Sequence, residues 1–403
     1  MKKLRFTLVA TCLLFLSILA TIARAQAHGD SSQQAPVAAA PAAPPAKPAP
    51  DVIVFTNGDQ LSGTLIRGVG GEILFKSDMA GEFTVSLDKV KELRSSGSFA
   101  LLQKHVPITR TSVHPGTILY ADGSVTVANP AGAPETVPAK DMAYLIDQAT
   151  YDRELERKAG PLTGWNGSIS GAATVVRSTT NANTYTAGIA LYRAIPGVPY
   201  LPARNRTSVD LQETYGKQTS QVIPQTIPAT PAFIVKTSIF HADAERDEYF
   251  SPRFFALAQT SFDHNFAQGL NLQAVYGVGV GWTPIKTPIQ QLDLKVDLHY
   301  ETQRFATTAA AANVDQNLIG STFSEVYRRM LPRKLLFTES ANVLPAWNNL
   351  NAYSANAQAA LAMPLFRRLG LQFSSTDNFL NNPAPGFKKN SYQFMTGITY
   401  SIR

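Results

Sequence analysis

The chain has 403 residues, of which 44% are hydrophobic and only 16% charged, against a usual charged share of about 25%; this excludes a coiled coil and an ordinary disordered protein. The 36 Lys and Arg outnumber the 29 Asp and Glu, but Lys2, Lys3, Arg5 and Arg24 fall in a predicted leader, and the 32 bases left against 29 acids give +3, which is no nucleic-acid signature. The single cysteine, Cys12, lies in the same leader, so the mature chain is expected to have no disulfide, no thiolate nucleophile and no zinc thiolate site.

Lys2, Lys3 and Arg5 precede an uncharged run from Phe6 to Ala23, and Ala23-Arg24-Ala25 puts small residues where a signal peptidase reads. Residues 1–25 are therefore expected to be a signal peptide cleaved after Ala25; an uncleaved anchor is the alternative, because the run is just long enough to cross a bilayer. Residues 26–50 are rich in Ala and Pro, favour extended conformations and cannot bury a core, which makes them a disordered spacer.

Residues 51–150 read as a small periplasmic β domain of short strands punctuated by Asn57-Gly58-Asp59, Gly70-Gly71 and Gly81. A second copy is expected within it. Gly63-Thr64-Leu65-Ile66 and Gly71-Glu72-Ile73-Leu74-Phe75 recur as Gly116-Thr117-Ile118-Leu119 and Gly123-Ser124-Val125-Thr126-Val127, which makes 51–95 and 114–147 two repeats. The Gly-rich turns are read as hairpin geometry, since Asn-Gly and Gly-Gly accept positive φ. No base, nucleophile and orienting partner come together here, so a docking module for a periplasmic partner is the most this segment supports. Residues 151–163 are a linker.

From residue 164 to the C-terminus the dominant period is two. Gln291, Asp293, Lys295, Asp297, His299 and Glu301 alternate with Leu292, Leu294, Val296, Leu298 and Tyr300; Leu270 to Trp282 and Ser391 to Ile402 behave alike. Strands of about 9–11 residues with one apolar face are what a tilted transmembrane β-strand needs, and in lipid the sheet must close. About twelve strands are predicted, at 165–177, 183–195, 204–216, 233–244, 253–266, 269–282, 290–304, 315–329, 333–344, 351–363, 367–380 and 390–402. The fold class is thus all-β: an antiparallel transmembrane β-barrel preceded by the small β module. Connections leaving odd-numbered strands include the long ones, 217–232, 305–314 and 381–389. Those leaving even-numbered strands are short, apart from one around Pro196 to Ala203. Glu213, Glu325, Glu339 and Asp377 fall on the apolar phase, where a carboxylate at the bilayer midplane would cost a few kcal/mol; either they lie near the interface or a bulge shifts the phase.

Gly164-Trp165-Asn166-Gly167-Ser168 at the start of the first barrel strand, Asp247-Glu248-Tyr249-Phe250-Ser251-Pro252-Arg253, Gly279-Val280-Gly281, and Asn57-Gly58-Asp59-Gln60-Leu61-Ser62-Gly63-Thr64 in the module resemble the YdiY-like, salt-induced outer-membrane protein family, a domain of unknown function (DUF481). The sequence departs from that family in having Asn181-Ala182-Asn183 where Gly-Asn is usual. The resemblance implies an outer-membrane barrel of unassigned activity and supplies no substrate. Gly397, Tyr400 and Ile402 resemble a barrel-insertion signal, which implies the barrel-assembly machinery and outer-membrane lipid as partners, although Arg403 trails where an aromatic is usual.

The candidate lumen-lining row is Asp293, Lys295, Asp297, His299 and Glu301. It reads either as a charged filter in a pore or as a salt-bridged filling of a narrow barrel. Trp165, Tyr192, Trp282, Tyr300, Tyr327, Tyr353 and Tyr400 near strand ends suit a headgroup belt. His241, His264 and His299 are the histidines a catalytic role could use, with Ser261 as a candidate nucleophile beside His264, but no motif fixes an oxyanion hole. No metal-ligand spacing and no nucleotide loop is recognisable, and no cofactor and no catalytic residue is expected. The functional expectation is a narrow pore or envelope-integrity element in the outer membrane; the alternatives are an outer-membrane lipid-modifying hydrolase and a soluble periplasmic binding protein.

Overall fold

A computed structural model describes residues 49–104, 113–129, 132–156, 160, 162–176, 180–220, 233–307 and 315–402. The expected signal peptide, Cys12 and all but the last two residues of the expected spacer lie outside the described residues.

The N-terminal strands are β1 (Asp51–Phe55), β2 (Gln60–Val69), β3 (Glu72–Ser77), β4 (Gly81–Ser86), β5 (Val90–Gln103), β6 (Gly116–Ala121), β7 (Ser124–Ala128), β8 (Glu135–Pro138) and β9 (Met142–Asp147). They form one nine-stranded sheet in the order β4-β3-β2-β1-β5-β6-β7-β8, and β9 pairs with both β2 and β5, which closes β2, β1, β5 and β9 into a small barrel. Its core holds Ile53, Leu65, Ile73, Phe75, Leu93, Met142 and Leu145. The buried Asp51 carboxylate accepts from the Leu65 and Ser96 amides at 2.7 and 3.0 Å, tying β1 to both its neighbours.

Two turns of the sheet have like backbone geometry. Gly70 and Gly71 (φ +63° and +110°) and then Asp122 and Gly123 (φ +48° and +72°) make equivalent hairpin turns. The Leu87 amide donates to the Gly71 carbonyl and the Ala139 amide to the Gly123 carbonyl, each at 2.9 Å. Each bond opens one short helical turn, Leu87–Lys89 or Ala139–Asp141, before the next strand.

Twelve further strands form a closed antiparallel barrel: β10 (Trp165–Val176), β11 (Thr180–Ile195), β12 (Asn205–Ser220), β13 (Phe233–Tyr249), β14 (Phe254–Asn265), β15 (Leu270–Lys286), β16 (Gln290–Phe305), β17 (Gln316–Leu331), β18 (Leu335–Pro345), β19 (Tyr353–Phe366), β20 (Leu369–Leu380) and β21 (Asn390–Ile402). Closure pairs β10 with β21, from Gly167 opposite Ile402 to Gly171 opposite Ile398. Both ends of the barrel chain therefore lie at one end, here called the terminal end, and the other is the far end.

The wall is inverted relative to a water-soluble protein. On β16 Asp297, His299 and Glu301 are 3%, 4% and 1% exposed while Leu298 and Tyr300 are 57% and 47% exposed. On β21 the exposed large hydrophobic residues are Tyr392, Phe394, Ile398 and Tyr400. Along β15 the outward positions run from Leu272 to Trp282, ten steps of about 3.3 Å, which at a tilt of about 40° gives a band about 25 Å tall, the height of a bilayer's apolar layer. Trp282 stacks on Phe254, and Phe254 on Phe250, at the terminal edge. Among the described residues no helix is long and apolar enough to cross a membrane.

The four carboxylates are on the outer phase as drawn: Glu213 shares it with Leu211 and Tyr215, Glu325 with Phe323, Glu339 with Phe337, and Asp377 is opposite the outward Tyr392. The β-bulges lie elsewhere, at Asp263/Asn265, Leu270/Leu272, Trp282/Ile285 and Pro364/Phe366. Glu325 pairs with Leu294, itself opposite the belt residue Trp282, and Glu339 is five residues from the terminal-end turn Pro332–Lys334, so both sit near the band's edge. Tyr192, expected in the aromatic belt, instead faces inward: it pairs with Ser208 on the inner face, and the Arg328 guanidinium lies 5.8 Å from its ring.

The connection 196–204 is longer than its neighbours because the N-terminal sheet docks on it. Leu201 is buried with Ala100, Leu102, Ile146 and Tyr151, and Val198 and Tyr200 pack on the same cluster. Tyr151 ends the single helical turn α1 (Gln148–Tyr151), whose N-cap Asp147 accepts from the Thr150 amide at 2.9 Å. The Arg67 guanidinium lies 4.5 Å over the Tyr200 ring, and Glu154 accepts from the Gly197 amide at 2.7 Å. Burial, and after it the Asp147 carboxylate, pushes the Tyr200 hydroxyl above its ordinary pKa, so the ring stays neutral beneath the cation. A cation–π contact of this kind contributes about 0.5–2 kcal/mol. Arg67→Ala and Tyr200→Ala should each raise the rate of protease cleavage between the sheet and the barrel several-fold while leaving the barrel intact. Unchanged cleavage would show that the apolar cluster alone holds the dock.

Candidate functional site: the barrel interior

The inner face of β12 to β17 carries the charge. Register alone brings it together, because residues directly opposite on paired strands share a face. Nearest the terminal end, Arg206 bridges two carboxylates, with Nε 2.6 Å from Asp247 Oδ2 and Nη1 2.6 Å from Asp293 Oδ2. Asp293 also accepts from Thr283 at 2.7 Å and from Gln291 at 2.9 and 3.0 Å. The guanidinium lies 5.2 Å from the Phe255 ring and 5.9 Å from that of Tyr249. Phe255 is fully buried inside the wall, and a Cβ on Gly281 would overlap its ring. Arg206 on β12 and Asp293 on β16 are four strands apart, so this bond crosses the interior.

Further along, Lys295 Nζ is 2.5 and 2.7 Å from the two Glu245 oxygens. Asp297 accepts from Gln259, from the Thr322 amide at 2.8 Å, and lies 3.1 Å from His299 Nδ1. A Cβ on Gly277 would stand 2.7 Å from Asp297 Oδ2, which is why that inner position carries no side chain. His299 Nδ1 is also 3.0 Å from Thr322 Oγ1, and its Nε2 is 3.7 Å from Glu301 Oε2. Glu301 accepts from Gln273 at 2.6 Å and from Gln303 at 2.7 Å, and Gln273 reaches Ser354 on β19, again four strands away, at 3.4 Å.

All five residues of the candidate lumen row, Asp293, Lys295, Asp297, His299 and Glu301, thus face inward, and each is held by a partner. The opposite wall is neutral: Ser340, Asn342, Asn356, Gln358, Gln372, Thr376 and Gln393 on β18 to β21 are half-buried amides and hydroxyls. At the far end the connection 381–389 meets the turn after β14, half the barrel's circumference away. Gln268 donates to the Asn378 and Lys389 carbonyls at 2.9 and 2.7 Å, and Ala384 and Phe387 pack on Leu270, Phe305 and Leu380.

A second inner group was missed in the sequence. Asp210 is directly opposite Asp243, and His241 opposite Asp263. His241 Nδ1 is 2.6 Å from Asp263 Oδ1 and Nε2 is 3.1 Å from Asp243 Oδ1. His241 and Asp243 do share a strand face at a spacing of two, but nothing in the sequence announces that Asp210 and Asp263 join them.

The Ser261–His264 pairing does not form. Ser261 shares the inner face with Asp263, whereas His264, opposite Phe240, is on the outer face and lies 2.9 Å from the Asn271 carbonyl. Residues three apart on a strand point to opposite sides. Outside, Glu213 accepts from Ser238 at 3.0 Å. Of the candidate insertion residues, Tyr400 and Ile402 are on the outer phase of β21, and Gly397 is buried where a Cβ would stand 2.6 Å from the Gly171 carbonyl across the closing seam.

Solved structures similar to this chain are barrels. The translocator domain of autotransporter NalP from Neisseria meningitidis is 10% identical over 60% of this chain and 89% of its own, with a TM-score of 0.30. An outer membrane channel from Pseudomonas putida F1 is 9% identical over 61% and 100%, with a TM-score of 0.33. The outer membrane channel DcaP of Acinetobacter baumannii is 11% identical over 88% and 95%, with a TM-score of 0.24. Likeness of this degree assigns no activity. No curated protein matches the sequence. Residues 168–402, the barrel from its first strand to its last, match the family described as "Protein of unknown function, DUF481", and the chain belongs to that family.

Proposed function

We propose that the chain is an outer-membrane barrel that is occluded at rest and acts as an envelope element, anchoring its N-terminal sheet on the periplasmic side. The observation that carries this reading is the charged inner wall: its row is consumed by buried partners, and Arg206–Asp293, with Gln273 between Glu301 and Ser354, ties together strands four apart. The 381–389 connection across the far mouth supports it, and the exposed apolar band supports a lipid surrounding. The half-buried amides and hydroxyls of β18 to β21 favour a second reading, a narrow pore along the neutral wall.

Gel mobility and planar-bilayer conductance of the purified full chain test both. The expected result is a heat-dependent mobility shift, as a closed barrel gives, with no steady open channel. Steady channels in the wild type would overturn occlusion in favour of the pore. Absence of the shift, with recovery in osmotic-shock fluid, would overturn the membrane reading itself.

A further inference from the structure

We infer that the interior of the barrel holds one divalent transition-metal ion, bound by His241, Asp210 and Asp243, with Asp263 as the positioning residue behind the histidine. The inference rests on the barrel wall and not on whether the barrel is occluded.

Charge placement is the first argument. Asp210 and Asp243 are directly opposite each other on β12 and β13, an arrangement of like charges that weakens a strand pair unless a cation lies between them. The neighbouring inner carboxylates have such cations: Asp247 and Asp293 share Arg206, and Glu245 has Lys295. No Lys or Arg forms an ion pair with Asp210, Asp243 or Asp263 among the described residues, so three carboxylates converge on one imidazole.

The orientation of His241 is the second. Its Nδ1 is 2.6 Å from Asp263 Oδ1, which fixes the ring and leaves Nε2 directed at Asp243 Oδ1. A carboxylate on one ring nitrogen, with the second nitrogen turned to a further carboxylate that could share a metal with it, is a setting that suits a metal-ligating histidine. One ligand atom each from Asp210, His241 and Asp243 lies within 4.8 Å of the others. The 3.1 Å from Nε2 to Asp243 Oδ1 is near the edge of a coordination shell whose metal–ligand bonds are about 2.0–2.2 Å. A metal ion there would take the place of the proton that the pair otherwise shares.

Donor type is the third. One imidazole nitrogen with two carboxylates suits zinc or a neighbouring first-row ion better than magnesium or calcium, which prefer all-oxygen shells. The His241, Asp243 and Asp263 side chains are 43%, 35% and 32% exposed, so an ion in the lumen water can reach them.

Calorimetric titration of the metal-stripped full chain in detergent micelles, with Zn2+ and separately with Mg2+, is the test. The expected result is one saturable Zn2+ per chain, with Mg2+ binding at least tenfold more weakly. Asp210→Asn and His241→Ala should each weaken Zn2+ binding by tenfold or more. Asp263→Asn should weaken it about 10–100-fold, as loss of an outer carboxylate does, and Asp263→Glu should restore part of the affinity, which a purely structural role would not require. Variants are compared only where the heat-dependent gel shift shows a closed barrel. Absence of stoichiometric Zn2+ binding in the wild type, or equal affinity in the folded Asp210→Asn and His241→Ala variants, overturns the proposal.

Discussion

Arg206→Ala should destabilise the barrel by about 3–5 kcal/mol, the usual consequence of removing one member of a buried ionic group. The Arg206 side chain is 12% exposed, and its two carboxylates, Asp247 and Asp293, are 1% and 4% exposed. Asp247 Oδ1 already has no hydrogen-bond partner among the described residues. Taking the guanidinium away leaves two charges facing each other, and it also removes the stem that packs beside Phe255 and Tyr249. Arg206→Met separates these effects, because it keeps most of the stem and loses the charge with its hydrogen bonds. Adding Asp247→Asn and Asp293→Asn to Arg206→Met should recover most of the loss, since replacing a whole buried ionic group with neutral residues is often close to neutral. Urea titration of the barrel folded in detergent, followed by tryptophan fluorescence, measures each step. A loss below about 1 kcal/mol for Arg206→Ala would mean that water reaches both carboxylates and that the terminal end is open.

That prediction depends on contacts the sequence did not disclose, while the barrel itself was legible. Alternation on β15, β16 and β21 is plain because lipid and interior impose opposite demands on successive residues. Strand ends were less legible. β13 runs on to Tyr249 and β15 to Lys286, past the predicted ends at 244 and 282, because beyond the apolar band the outer face turns polar, as at Arg246 and Glu248, and the period fades. The inward direction of Asp293 to Glu301 followed from phase alone. Which residues they would meet did not: Arg206 with Asp293, or Asp210 with His241, requires the register of several strands at once, and no local pattern encodes that. The separation of Ser261 and His264 was in principle readable, since an odd spacing on one strand places two side chains on opposite faces. The docking loop also left a trace, as Val198, Tyr200 and Leu201 are large apolar residues in a connection otherwise rich in Pro.

Val278→Arg tests the outer face as directly as Arg206 tests the inner one. Val278 is 64% exposed, shares its face with Tyr276 and Val280, and is paired with Ala258 and Leu298. It lies near the middle of the band that runs from Leu272 to Trp282. In lipid an arginine at that depth should cost about 2–4 kcal/mol, whereas the same side chain near the interface costs about 0–1 kcal/mol. Glu339→Arg, five residues from the terminal-end turn, supplies the interfacial control. On a water-soluble barrel both positions would be ordinary surface, and both substitutions would fall within about 0.5 kcal/mol of wild type. The discriminating quantity is therefore the difference between the two variants, measured by reversible unfolding from lipid vesicles. A gap of at least about 1.5 kcal/mol places the band in the hydrocarbon layer, because depth is the variable that separates the two sites. Equal costs would mean that the exposed valines, leucines and aromatics of this wall are covered by protein or water, and the bilayer would no longer account for them.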